Sequence, residues 1–166
     1  MADDGIFIVV KTKRIMYINL EEKESLFVLQ NDYLGHLSYI YQDRPFVVPI
    51  TYFYDAIRNV IICYSNEGHK MNAMRNNKRV ALNVVDIDAL TKWRSVMVHG
   101  EFEQVFGTDA KAYLHTFSLG IKELVERKEL KELNFISEFS SKAVDESSPM
   151  IFVIRIDNIT GKKRRY

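Results

Sequence analysis

From Leu34 to Phe106 the chain reads almost without interruption as short strands broken by tight turns, and this run limits what it can fold into. The apolar period becomes two at Leu34, placing Leu37, Tyr39 and Tyr41 on one face. Gln42-Asp43-Arg44 is turn-like. Residues 46–54 then alternate Phe46, Val48, Ile50, Tyr52 and Tyr54 against Val47, Pro49, Thr51 and Phe53, so both faces are largely apolar. Asp55 to Asn59 makes the next turn and Val60 to Tyr64 a third strand. Two more strands are expected at 79–86 and 93–106. In the longer one Val96, Val98, Phe102 and Phe106 share a face, opposite Trp93, Ser95, Met97, His99, Glu101 and Glu103. Short strands, tight turns and a single crossover helix predict a closed or nearly closed barrel.

The flanks add helices. Residues 6–18 predict a first strand covering an edge, and 20–31 a helix with Asn19 as its cap. Thr108 or Asp109 caps a helix running to about Leu119, with Gly120 separating it from a second helical stretch, Ile121 to Leu133. Residues 134–148 are polar and lead into a loop at Asp145 to Pro149. The last strand is Met150 to Asp157, and the basic tail Lys162-Lys163-Arg164-Arg165 reads as a solvated, frayed terminus. No repeat or linker divides the 166 residues, so they form one domain. The expected class is α+β, mainly β: a six-stranded antiparallel barrel with flanking helices and a helical insertion, about 108–148, before its last strand.

The crossover helix lies within residues 65–80. Met71 and Met74 stand at i, i+3 with Ala73 beside them, and Ser65 or Asn66 supplies a capping oxygen, which puts the first turn near Glu67 to Lys70. A cation suits a helix N-terminus poorly, because the end of the helix dipole there is positive. Lys70 therefore has two readings. It holds a phosphate together with the free N–H groups, or it reaches into water and pairs with Glu67. Pro49 also has two: it marks a place where the barrel opens for a ligand, or a plain edge strand.

Other chemistry lacks its usual residues. His36, His69, His99 and His115 show no metal-site spacing, and Cys63, the one cysteine, sits in an apolar run as a buried thiol. No serine-hydrolase elbow, Walker loop or dinucleotide fingerprint is present. The net charge of +1 argues against a general nucleic-acid binder. Asp3 and Asp4 precede an apolar run, Ile6 to Val10, too short for a signal peptide or a membrane span. The expected setting is cytoplasmic.

Four segments carry a resemblance. They are Leu34 to Tyr39, Arg44 to Tyr52, Ser65 to Met71 with Asn76, Asn77 and Val80, and Trp93 to Val96 with Gly100. In this order and spacing they resemble the pyridoxamine 5′-phosphate oxidase-like FMN-binding split barrels. The nearest branch is the flavin-nucleotide-binding proteins that include nitroimidazole-resistance reductases. The likeness covers about residues 15–106, and Ile159 to Lys162 resembles the closing segment. It implies a homodimer with two FMN sites at its interface. Val48, Pro49, Ile50 and Thr51 would line the isoalloxazine ring. Ser65, His69 and Lys70, flanked by Tyr64 and Met71, would hold the phosphate, and Trp93 and Ser95 would complete the pocket. Trp93 reads equally as a strand-end core aromatic.

Two departures matter. The arginine-rich closing pattern of true pyridoxamine phosphate oxidases is absent at Ile154-Arg155-Ile156-Asp157, which argues against vitamin B6 oxidation. The insertion 108–148 follows every resembling flavin residue and is expected to tune substrate access. The resemblance implies an FMN-dependent oxidoreductase passing electrons from a reduced nicotinamide to a small organic acceptor such as a nitro-aromatic. The competing reading is a non-catalytic flavin- or haem-binding protein. Tyr52, Phe53 and Tyr54, as apolar positions that one chain leaves uncovered, are the expected reason for dimerisation.

Overall fold

The structure, a computed structural model, describes residues 16–129 and 150–165. In chain order the elements are β1 (Met16–Asn19), α1 (Glu22–Gln30), β2 (Leu34–Tyr41), β3 (Arg44–Asp55), β4 (Val60–Ser65), α2 (His69–Asn76), β5 (Arg79–Ala89), β6 (Lys92–Gln104), α3 (Gly107–Glu129) and β7 (Met150–Arg165). All pairings are antiparallel. The order is β1-β7-β4-β3-β2-β5-β6, and β6 also pairs with β7. Six strands therefore close the expected ring, and β1 is a seventh, laid on β7 beyond the end of β4.

Local chemistry explains the joints. Gln42 and Asp43 both take left-handed conformations (φ 48° and 57°), which give the two-residue turn that matches strand twist in a hairpin, so Arg44 already belongs to β3. Between β3 and β4, buried Asp55 accepts the Ile57 and Arg58 N–H groups at 2.9 and 3.2 Å and the Arg58 guanidinium at 2.6 Å. Asn59, left-handed at φ 52°, ends that turn and accepts the Tyr54 hydroxyl. α1 starts later than expected. Its N-cap is Glu21, whose N–H donates to the Glu24 side chain, while Asn19 lies in β1 opposite Lys162.

The barrel interior holds Leu37, Tyr52, Cys63, Leu82, Val98 and Phe152, closed by Met71 and Met74 from α2 and by Val28 and Leu29 from α1. Tyr52 donates to the Leu29 carbonyl at 3.0 Å, so the helix is hydrogen-bonded to the core it covers. A Cβ on Gly161 would meet the Ser25 hydroxyl and the Leu20 side chain below 3 Å, and that space lets α1 lie against β7. On the outside, α3 covers Val60, Ile62, Ile151 and Val153 with Phe117, Ile121 and Val125. Burying each such large side chain contributes about 1.5–3 kcal/mol.

Several expectations change. α3 runs through Gly120 unbroken, and the missing side chain there makes room for the Phe53 ring, which a Cβ would meet at 2.1 Å. Tyr52 and Tyr54 are buried and Phe53 packs under α3, so these three residues give no reason to dimerise. Phe106 lies beyond β6 and is exposed. The basic tail is strand: Lys163 pairs with Glu24 at 2.5 Å, and Arg164 reaches the Leu90 carbonyl and lies over Tyr17. The expected strand over 6–15 and the segment 134–148 lie outside the described residues. No described helix is long and apolar enough to cross a membrane.

Candidate functional site

β3 pairs with β2 from Arg44 to Thr51 but with β4 only from Tyr52 to Asp55. The barrel therefore splits between β3 and β4. Tyr52 N–H bonds the Tyr33 carbonyl on the β2 side. Alternation along the strand then turns the nitrogen of Pro49 to the other edge, where β4 has parted. A proline there sacrifices no ladder bond, which accounts for its place inside an apolar strand. Along this lip the outward side chains are exposed Pro49 and half-buried Thr51. Val48 and Ile50 point into the barrel and offer a ligand only backbone.

β4 ends at the same split and turns into α2. The N-cap is Gly68, at φ 155°, not Ser65 or Asn66. No side chain caps the helix, its first turn has no acidic residue, and a Cβ at Gly68 would meet nothing within 4 Å. The helix start is thus uncapped, with open space on the Cβ side of Gly68 and Lys70 in the first turn. The expected alternative partner of Lys70 is taken, since Glu67 receives both terminal nitrogens of Arg75 at 2.6 and 2.8 Å. Among the described residues no carboxylate pairs with Lys70. Its charge is felt at Cys63, whose thiol is pushed well up by burial and drawn back slightly by the ammonium.

The other phosphate candidates are placed differently. The Ser65 hydroxyl is buried and donates to the Asn66 carbonyl at 2.8 Å, so its proton is already used. The His69 ring packs among Tyr39, Tyr41 and Phe46, with Nδ1 3.1 Å from the Tyr39 hydroxyl, which leaves Nε2 for another partner. Met71 is fully buried and can offer only its N–H. Tyr64 stands edge-on to Phe117 under α3.

Trp93 and Ser95 lie elsewhere. Ser65 pairs with Met150 and Trp93 with Arg164, at opposite ends of β7. β3 and β6 are also on opposite sides of the six-strand ring, so their outward side chains point apart. One chain does not bring Trp93 or Ser95 to Lys70. Trp93 is half-buried with its ring 6.1 Å from Tyr17, a strand-end contact and not a core one. Ser95 accepts from Asn83 at 3.0 Å, and Asn83 pairs with His36, which pairs with Pro49. An outward belt thus runs from the split to Ser95 across three strand spacings, about 14 Å.

Sequence reasoning named Glu67 only as a partner for Lys70, and it missed Tyr39, Asn83 and Arg75. Asn83 was signalled by its polarity inside an apolar strand, and the others had no local signal. Among the described residues no group of histidine, cysteine or carboxylate side chains could hold a metal.

A sequence model described as pyridoxamine 5′-phosphate oxidase matches residues 21–163. An uncharacterised protein of Rhizobium meliloti (strain 1021) is 27% identical over 131 residues, covering 78% of this chain and 83% of its own. An FAD-binding protein from Mesorhizobium loti has the same fold, with TM-score 0.69, 22% identity, and 92% of this chain and 100% of that one covered. So does a candidate 5-nitroimidazole antibiotic resistance protein from Bacteroides thetaiotaomicron, with TM-score 0.68, 13% identity, and 92% and 90% covered.

Proposed function

The chain belongs to the pyridoxamine 5′-phosphate oxidase family, and from that premise we propose that it binds a flavin and works as an oxidoreductase. FMN is the cofactor, a reduced nicotinamide the donor, and a small organic molecule the acceptor, a nitro-aromatic being the class to try first. The observation that carries the reading is the start of α2, with no side-chain cap, open space at Gly68 and, among the described residues, no carboxylate paired with Lys70. These residues fit a phosphate, because oriented N–H groups and a lysine act on one anion.

When bound, the flavin supplies the electron and hydride chemistry. The chain's own residues hold and orient it. Lys70 and the first-turn N–H groups of α2 fix the phosphate, with Nε2 of His69 as a further donor. Pro49 and Thr51 at the split face the ring. Trp93 and Ser95 can complete such a site only from a second copy, since in one chain they lie across the barrel, and this supports a homodimer with two interfacial sites. The buried thiol of Cys63 suits a reducing, cytoplasmic setting.

Pyridoxamine phosphate itself is disfavoured as substrate, because Arg155, the one arginine of the stretch 154–157, is held by Glu103 through two bonds of 2.6 and 3.2 Å. The name of the Mesorhizobium loti protein favours one second reading, FAD in place of FMN. Both carry the same ring and a 5′-phosphate. Heat release followed by chromatography of the flavin separates them. The purified protein, saturated with FMN, should show flavin absorption that bleaches with NADH or NADPH without oxygen and returns on adding a nitroimidazole. Failure to bind any flavin removes the proposal, and bound flavin that no nicotinamide bleaches removes the oxidoreductase part.

A further inference from the structure

Arg75 makes more contacts than a surface arginine on a short helix needs. Its two terminal nitrogens grip both oxygens of Glu67, Nε donates to Gln104 on β6 at 2.9 Å, and one terminal nitrogen also donates to Asn72 at 3.0 Å. Glu67 immediately precedes the Gly68 cap and is the carboxylate nearest in sequence to Lys70. We infer that Arg75 is a positioning residue that engages the Glu67 carboxylate with both terminal nitrogens and so keeps it from pairing with Lys70, which leaves Lys70 to an anion. This rests on the phosphate reading above and adds its electrostatic control.

The geometry explains why an arginine performs this role. A planar fork matches a carboxylate through two parallel bonds and fixes its direction as well as its charge. The hydrogen bonds from Arg75, with a smaller contribution from the Gly68 N–H, hold the Glu67 carboxyl below the usual carboxylate range. Released from the fork, that charge lies two residues from His69 and three from Lys70, and competes with a phosphate for Lys70 and for the first-turn N–H groups. Gln104 anchors the guanidinium to the barrel wall, so the loop 65–68 is tied to β6 through one side chain.

The test compares FMN and riboflavin, which share the ring and differ by the phosphate. Binding of each is measured by fluorescence titration at low salt for the wild type, Arg75→Ala, Glu67→Gln, the Arg75→Ala/Glu67→Gln pair and Lys70→Ala. A charge at a helix N-terminus shifts anion binding by about two- to fivefold. Arg75→Ala should therefore weaken FMN by about that factor and leave riboflavin unchanged. Glu67→Gln, silent by itself, should restore FMN affinity in the Arg75→Ala background, which a loop that had merely loosened would not do. Unchanged FMN affinity in Arg75→Ala, an equal loss for both ligands, or no rescue by Glu67→Gln overturns the inference. In each of those cases a selective FMN loss in Lys70→Ala leaves the phosphate site standing. If Lys70→Ala also fails to separate the two flavins, the phosphate reading falls and this inference falls with it.

Discussion

Gly100 is where closure of the barrel can be tested with one methyl group. It lies in β6 opposite Val80 of β5 and Ile156 of β7, at a shift in the β6–β7 register. A Cβ would stand 2.1 Å from the Arg155 carbonyl oxygen, 3.0 Å from its carbon and 2.8 Å from Cγ2 of Ile154. The first two are backbone of a strand paired on both sides, so the side chain cannot turn aside and the strands must part by on the order of 1 Å. Overpacking of this kind costs about 1–3 kcal/mol, and a broken ladder bond about 1 kcal/mol. Losing glycine's unfolded-state freedom returns roughly 0.5–1 kcal/mol. The expected net loss for Gly100→Ala is about 1–3 kcal/mol, which at a typical slope lowers the urea midpoint by roughly 1 M. Gly120→Ala is the control. Its obstacle is the Phe53 ring, a side chain that can move, so the loss should be smaller and Phe53→Leu should relieve it. A Gly100→Ala protein within about 0.5 kcal/mol of the parent at unchanged slope would refute the reasoning.

Lys70→Ala should weaken FMN by about ten- to a hundredfold, since a charge-assisted hydrogen bond contributes roughly 1.5–3 kcal/mol, and should spare riboflavin in the same titration. Phe117→Ala should cost about 3–5 kcal/mol by urea denaturation, because Phe117 is fully buried where α3 meets the barrel. For the same reason excising the whole insertion should give aggregation on a sizing column, so α3 has a structural role besides the substrate access expected from the sequence. At Asp55, burial raises the carboxyl but the Arg58 side chain and the turn N–H groups outweigh it, so the folded pKa is lowered. Its contribution is therefore full above the unfolded value and fades as pH falls through the folded one. Asp55→Asn should lose about 1.5–3 kcal/mol at neutral pH, and denaturation at pH falling below the ordinary carboxylate range should show the gap to wild type closing.

What the sequence determined is what neighbours along the chain decide. The period of two places Leu37, Tyr52 and Val98 inside, because pleated strands must alternate their side chains. The apolar run around Cys63 buries its thiol for the same reason, and the polar stretch after Ser65 had to break the strand and leave a lysine beside a helix start. Tertiary structure decided whatever depends on residues far apart in sequence. The basic tail becomes strand because β1 and β6 offer it two edges. Gly120 sits within an unbroken helix as the space for Phe53, a residue remote in the chain. Among the described residues Lys70 has no carboxylate partner, because Arg75, eight residues from Glu67, takes that carboxylate. The distance of Trp93 from Lys70 follows from ring closure, since six strands in a circle put β3 and β6 on opposite sides and no local pattern records that.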